Sequence, residues 1–335
     1  MSAERDVAGA VTWPQHAVLR TLVSTAAVVL SVALLWFAIR GIDRHEFWLA
    51  LRDSSFGWLL IAIAALATSV VVRVVRWLYL FELETRVPAR AATRALLVGE
   101  LLNSLVPVRA GEVARVVVLH RDTGASRAET TGTLVAERLL DMLALLVLFF
   151  AAVPALPEVT WLWRAAVMLA SVAIAIAAVV VVARAYGDRP FAFTLRPLGR
   201  LLGVAPARIE TTAVRALEGM RAFRDFRAGV LAFMLSLVVW IAVAASFWSG
   251  MRAVDVDTEF EAAILVTFAT AFALVLPSLP AGLGVFEAAT LVSLRAFGVA
   301  DAKALACAVV LHVLSFAPFI VAGIAALRLR SLGVP

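Results

Sequence analysis

The residues in this chain that could do chemistry are ionisable side chains set inside apolar runs. The densest set reads Glu100, Asn103, Pro107, Arg109, Gly111, Glu112 and Arg115. A charge at membrane depth costs about 2.5–3.5 kcal/mol on insertion scales, so each such group needs a partner or a purpose. Arg109 and Arg115 carry the planar fork that grips a phosphate or carboxylate. Pro107 and Gly111 free backbone amides at the start of a returning helix, where anions are also favoured. Glu112 and Arg115 stand three apart on that helix and could pair with each other. The competing reading has Glu112 capping the helix while the arginines snorkel to the surface.

Two further sets follow. Glu137, Arg138 and Asp141 fall within one helical turn, so they put a charged cluster on one side of an otherwise apolar helix. It serves either to join helices or to meet a substrate. Later, Pro277, Pro280, Gly282 and Gly284 form a breaker-rich tip with Glu287 just beyond it. Glu287 reads three ways: a proton-coupling carboxylate, the partner of an arginine from the first set, or a helix cap. Arg73 and Arg76 read as anchors at the end of an apolar run. His312, alone in the last run, reads as a structural hydrogen-bonded residue or a proton sensor.

Other chemistries find little support. Cys307 is the single cysteine, which excludes an intrachain disulfide and a cysteine-based zinc site. HExxH, P-loop and Ser/His/Asp arrangements are missing from the sequence, so no metal and no cofactor is expected. The Gly282-x-Gly284 spacing has no strand before it and is not a dinucleotide loop.

These sets must be positioned by elements in a bilayer. Of 335 residues, 63% are hydrophobic and 16% charged, with a mean hydropathy of +0.97. A soluble domain is about 45–50% apolar and about 25% charged, so the expected fold class is an all-α polytopic membrane protein. Runs near 20 apolar residues predict about six full spans, at 20–40, 57–80, 131–153, 163–183, 228–250 and 303–327. The first run, from Thr21 to Ile39, reads as an uncleaved anchor rather than a signal peptide. Residues 93–120 and 260–298 are apolar but broken in the middle, with arms too short to cross about 30 Å. They predict two re-entrant helical hairpins, buried in protein or lining a wet cavity.

Charge supplies orientation. Every one of the 30 basic residues except Lys303 is arginine, and the net charge is +6. The arginines crowd between apolar spans, which argues for retention on the cytoplasmic face rather than nucleic-acid binding. Nine fall in 184–227, whereas 251–261 sets Arg252 against Asp255, Asp257, Glu259 and Glu261. Both termini (1–19 and 329–335) and the linker 184–227 are therefore expected in the cytoplasm, with residues 20–328 as one membrane domain of the cytoplasmic (inner) membrane. Within the linker, Pro206 to Phe226 reads as an interfacial helix or a loop helix packed on the bundle. Each hairpin then sits between two spans, and the two triplets are upside-down copies, the inverted-repeat plan of many transporters.

The string Asn103…Pro107-x-Arg109-x-Gly111-Glu112-x-x-Arg115, then Glu137-Arg138-x-x-Asp141, then Pro280-x-Gly282-x-Gly284-x-x-Glu287 resembles the lysylphosphatidylglycerol synthase transmembrane region, a flippase-like family. The resemblance covers roughly residues 20–328. One departure is His312, where members often carry an arginine in the last span. The resemblance implies a lipid translocase or lipid-binding transporter without the transferase domain of the full synthases. Its lipid would be an anionic or aminoacylated phospholipid or a polyprenyl-phosphate-linked lipid. The partners it implies are membrane lipids with anionic headgroups and a separately encoded lipid-modifying enzyme, with no nucleic acid. In that reading Arg109 and Arg115 hold the headgroup while Glu112, Glu137, Arg138, Asp141 and Glu287 shape or gate the site. The alternatives are a membrane-embedded transferase, with Glu112 or Glu287 as base, and a non-transporting scaffold.

Overall fold

The computed structural model describes residues 44–81, 85–106, 110–157, 225–274 and 279–331, with isolated helical positions at 29, 33, 36, 164, 167, 168, 171 and 174. Apart from those isolated positions the predicted spans 20–40 and 163–183 lie outside the described residues, as do Pro107, Arg109, Pro277 and nearly all of the linker. Among the described residues every regular element is helical. They are α1 (Arg44–Arg52), α2 (Phe56–Leu80), α3 (Ala89–Leu105), α4 (Gly111–Thr123), α5 (Arg127–Ala152), α6 (Phe226–Ala253), α7 (Phe260–Ala273), α8 (Val285–Ala296) and α9 (Asp301–Ser331).

Helices α2 and α6 pack along each other, and the pairing is written in small residues. Ala62, Ser69 and Arg76 lie on the buried stripe of α2, and Ala228, Ala232, Ser236, Val239 and Val243 on that of α6. Without a hydrophobic drive between helices in lipid, close backbone approach through small residues is what joins them. Their other faces leave Leu60, Ile61, Val71 and Val75, and Leu231, Met234, Val238 and Ile241, exposed. Large apolar faces of that kind need a non-aqueous cover. Three helices, Phe56–Leu80, Phe226–Ala253 and the Asp301–Arg328 part of α9, are long and apolar enough to cross a membrane among the described residues. Helix α5 is also long, but Glu137, Arg138 and Asp141 interrupt it, and its continuous apolar stretch begins only at Met142.

Two helical hairpins are built on this frame. In the first, α3 and α4 are antiparallel arms joined at the tip by Asn103 Oδ1, which accepts the Gly111 amide at 2.8 Å. A Cβ at Gly99 would lie 2.9 Å from the Gly111 carbonyl oxygen, so only glycine permits this approach. At the base Arg94 pairs with Asp122, and Thr85 bonds Glu129 at 3.2 Å. Arg94 also reaches the Ala326 carbonyl near the end of α9 at 3.1 Å. The ends of α2, α4 and α9 and the starts of α3 and α5 thus share one end of the molecule.

The second hairpin, α7 and α8, opens at the opposite end. There the Ser55 amide before α2 bonds the Ala253 carbonyl at the end of α6, and Lys303 pairs with Asp255 at 2.8 Å. Its tip is a short 3-10 turn, Pro280–Gly282, with Ala281 at φ 57°, Gly282 at φ 70° and Gly284 at φ 84°. This turn packs against α3, so the two hairpins meet. Each hairpin has its own core: Val74, Trp77, Leu96 and Leu119 around the first, and Phe247, Val266, Phe286 and Leu311 around the second. Leu145 and Phe149 of α5 join them through Leu265 and Phe268 of α7, with Phe149 and Phe268 stacked at 4.4 Å.

Candidate functional site

The functional candidate is a charge network where the first hairpin meets α2, α5 and α6. Its inner layer has two arginines and two acids, all buried. Arg115 of α4 makes a two-pronged contact with Glu137 of α5, at 2.9 and 3.0 Å. Its guanidinium lies 4.1 Å from the Trp77 ring centroid, and that indole donates to Thr133 Oγ1 at 3.0 Å. Arg76 of α2 is fully buried and pairs with Asp141, while donating to Ser236 Oγ of α6 at 2.6 Å. It also stands 3.6 Å from Glu137. Trp240 of α6 donates to Asp141 Oδ1 at 3.1 Å. Four helices are therefore pinned together by side chains that lipid cannot solvate.

An outer layer surrounds this one. Arg138 of α5 pairs with Glu112 of α4 at 2.7 Å, with 41% and 24% of their side chains exposed. Arg73 of α2 pairs with Glu100 of α3 at 3.3 Å and lies 5.7 Å from the Trp240 ring centroid. The eight charges sum to zero: Arg73, Arg76, Arg115 and Arg138 against Glu100, Glu112, Glu137 and Asp141. Burial of each is tolerated because each has a counter-charge within reach. Arg73 Nε, Arg76 Nε, Arg115 Nε and Glu112 Oε2 are nevertheless buried with no hydrogen-bond partner among the described residues. The three nitrogens are unmet donors and the carboxylate oxygen is an unmet acceptor.

Several expectations change here. Glu112 and Arg115 do not pair with each other: Arg115 belongs to Glu137 and Glu112 to Arg138. The side chains diverge because the helix presents them to different parts of α5. Both terminal nitrogens of Arg115 are thus engaged by Glu137, while its Nε has no partner among the described residues. Arg76 is not an interfacial anchor but the most buried cation of the network. It sits on the stripe Ala62, Leu66, Ser69, Arg76, Leu80, spaced three, four or seven apart. That helical periodicity is the signal by which its inward aim was readable. Glu100 also enters the network, whereas Trp77, Ser236 and Trp240 were not legible as members.

The second tip assembles differently. Glu287 Oε2 accepts the Gly284 amide at 2.7 Å, the helix-cap role. Its other oxygen lies 2.8 Å from His312 Nδ1 of α9, although the ring N–H is not aimed along that line. Of the three readings of Glu287, the cap is the one seen among the described residues, with His312 as its side-chain neighbour; Arg109 of the first hairpin's tip lies outside them. Pro280 and Gly282 build the turn, and Leu274 fills the space a Cβ at Gly282 would take. Among the described residues no group of three or more His, Cys, Asp and Glu side chains is arranged to hold a metal.

Long apolar helices, hairpin arms too short to span and charges balanced in the interior define an α-helical membrane protein. Residues 24–323 match the family model of the lysylphosphatidylglycerol synthase transmembrane region, and the chain belongs to that family. Membership places it among membrane proteins concerned with lipids. A comparison with curated protein sequences finds no match.

Proposed function

We propose that this chain is a lipid translocase whose outer charge layer, Arg73, Glu100, Glu112 and Arg138, receives the headgroup of an anionic or aminoacylated lipid. The observation that carries the reading is the graded network. Its inner pairs are sealed from the surface, whereas the rim is partly exposed and leaves a donor, Arg73 Nε, and an acceptor, Glu112 Oε2, unmet. A headgroup with phosphate oxygens and a hydroxyl or ammonium would satisfy both. Arg109, outside the described residues, follows Glu100 and Asn103 in the chain and is assigned to the same site from sequence.

The architecture proposed around it has six spans and two re-entrant hairpins in an inverted repeat. Supporting it, the hairpins open at opposite ends, and α3 packs on α9 while α7 packs on α5, the exchange of contacts a two-fold would produce. At 1.5 Å per residue the arms α3, α4, α7 and α8 measure only about 18–26 Å, short of a core of about 30 Å. Ser236 lies about 15 Å from the start of α6 and Arg76 about 6 Å from the end of α2, which sets the network below the surface on the side of the arginine-rich end. The arginine-rich end is assigned to the cytoplasm with both termini, in the inner membrane.

The test is trans-bilayer movement of fluorescent phosphatidylglycerol in proteoliposomes, read by dithionite quenching. Wild-type protein is expected to accelerate it over protein-free vesicles. Arg138→Ala and Arg109→Ala should each reduce the gain about tenfold, the scale of one lost charge-assisted hydrogen bond. A rate equal to that of empty vesicles sinks the translocase reading. Conversion of the lipid to a new mass in the same vesicles would replace it with a transferase.

A further inference from the structure

The two buried charge sites differ in how they are balanced. The network at the first hairpin holds four cations and four anions, so its formal charges balance. The site at the second hairpin holds one carboxylate, Glu287, and one imidazole, His312, 2.8 Å apart and almost fully buried. His312 sits between aromatic rings, with centroids 5.2 Å away at Phe286 and 4.7 Å at Phe316. The neighbouring elements bring few other charges. Helix α7 carries only Glu261 at its start, and α8 only Arg295, which bonds Asp301 at 2.7 Å. On α9 nothing charged falls between Lys303, about 14 Å from His312 along the axis, and Arg328. Helix α6 is charged only at Arg227 and Arg252 near its ends. On α3, Arg94 and Glu100 are engaged with Asp122 and Arg73, with Arg90 in the first turn, and α1 adds His45 and Arg52.

Counting the described residues alone, with a neutral imidazole the pair therefore carries one uncompensated negative charge among apolar and aromatic side chains. With one added proton it becomes an imidazolium beside a carboxylate, and the local charge is zero. We propose that Glu287 and His312 form a proton-binding site whose occupancy sets how the tip of the second hairpin is seated on α3. The proton comes from water, is held by the imidazole ring and returns to water; no other bond changes. The link to the tip is Glu287 itself. Its second oxygen holds the Gly284 amide, and two residues earlier the left-handed turn at Ala281 and Gly282 rests on α3. While the imidazolium is present, the carboxylate is neutralised and stays on the cap. When the proton leaves, the bare carboxylate draws water and the turn loosens.

The proposal goes beyond lipid movement and is tested without it. Full-length protein with 15N-labelled histidine has four histidines, and H312Q assigns the fourth in nanodisc spectra. The ring 15N signals of His312 are expected to change with pH. In E287Q the imidazolium loses its counter-charge, so that pH response should differ from wild type. Hydrogen–deuterium exchange of residues 280–287, corrected for intrinsic pH dependence, should change about threefold or more across the wild-type midpoint. It should be pH-independent in H312Q, which keeps the Glu287 cap, and the equally neutral E287N replaces E287Q if the latter does not fold. A His312 titration indifferent to residue 287, or tip exchange that keeps its pH dependence in H312Q, overturns the proposal.

Discussion

The paired arginines of the network serve different ends, and the difference is measurable one residue at a time. Glu137→Ala removes the only side chain that Arg115 contacts with both prongs and leaves a buried guanidinium beside Trp77. Stranding a buried charge costs about 3–5 kcal/mol. Arg138→Ala removes a half-exposed partner from Glu112 and should cost about 0–1 kcal/mol. Thermal unfolding in detergent is expected to separate them, with a large drop for Glu137→Ala and little change for Arg138→Ala. The pair Arg115→Met with Glu137→Met should recover most of the loss, because two apolar side chains leave no charge unpaired. Recovery of stability without change in lipid movement would mark Arg115 as a residue that joins helices rather than one that binds a headgroup.

At the scale of elements, the first hairpin depends on how closely its arms approach. Gly99 faces Gly111 across the arms, and a methyl at Gly99 would come 2.6 Å from Arg115 Cγ as well as 2.9 Å from a backbone oxygen. The side chain could shift alone, but it is held by Glu137, and the carbonyl belongs to α4. Gly99→Ala is therefore expected to destabilise the protein by about 1–3 kcal/mol, the usual range for overpacking, despite alanine's better helix propensity. It should also weaken the Asn103 bond to the Gly111 amide, visible as faster exchange of that amide. An unchanged unfolding temperature would mean that the arms are less closely packed than the contact implies.

The whole molecule has two dissimilar ends. One gathers Arg90, Arg94, Arg121, Arg127, Arg227 and Arg328 beside Asp122, Asp225 and Glu129. The other sets Arg52, Arg252, Arg295 and Lys303 against Asp53, Asp255, Asp257, Glu259, Glu261 and Asp301. With positive residues retained inside, the first end should face the cytoplasm. Cys307 is buried, so introduced cysteines report cleanly. In intact cells a cysteine replacing Asp257 should react with an impermeant maleimide, and one replacing Arg127 only after lysis. The reverse pattern would invert the orientation and the direction in which the first hairpin opens.

What the sequence alone determined follows from what lipid demands of any chain. A span needs a long apolar run, so α2, α6 and α9 were readable from composition. Proline and glycine next to charge mark where a helix breaks, so both hairpins were readable, close to their observed arms. Family membership was equally legible in the spacing of Asn103, Gly111, Glu112, Arg115, Glu137 and Glu287. Partnership was not. Glu112 and Arg115, three residues apart, were the natural local pair, yet each found a nearer counter-charge on α5 once that helix packed. Arg76 and Asp141 are separated by 65 residues and meet only because α2 and α5 both lie against α6. The histidine beside Glu287 came from another helix again. Local rules act over one helical turn, whereas a buried charge is satisfied by whichever group the packing brings within about 3 Å, and only the tertiary structure decides which that is.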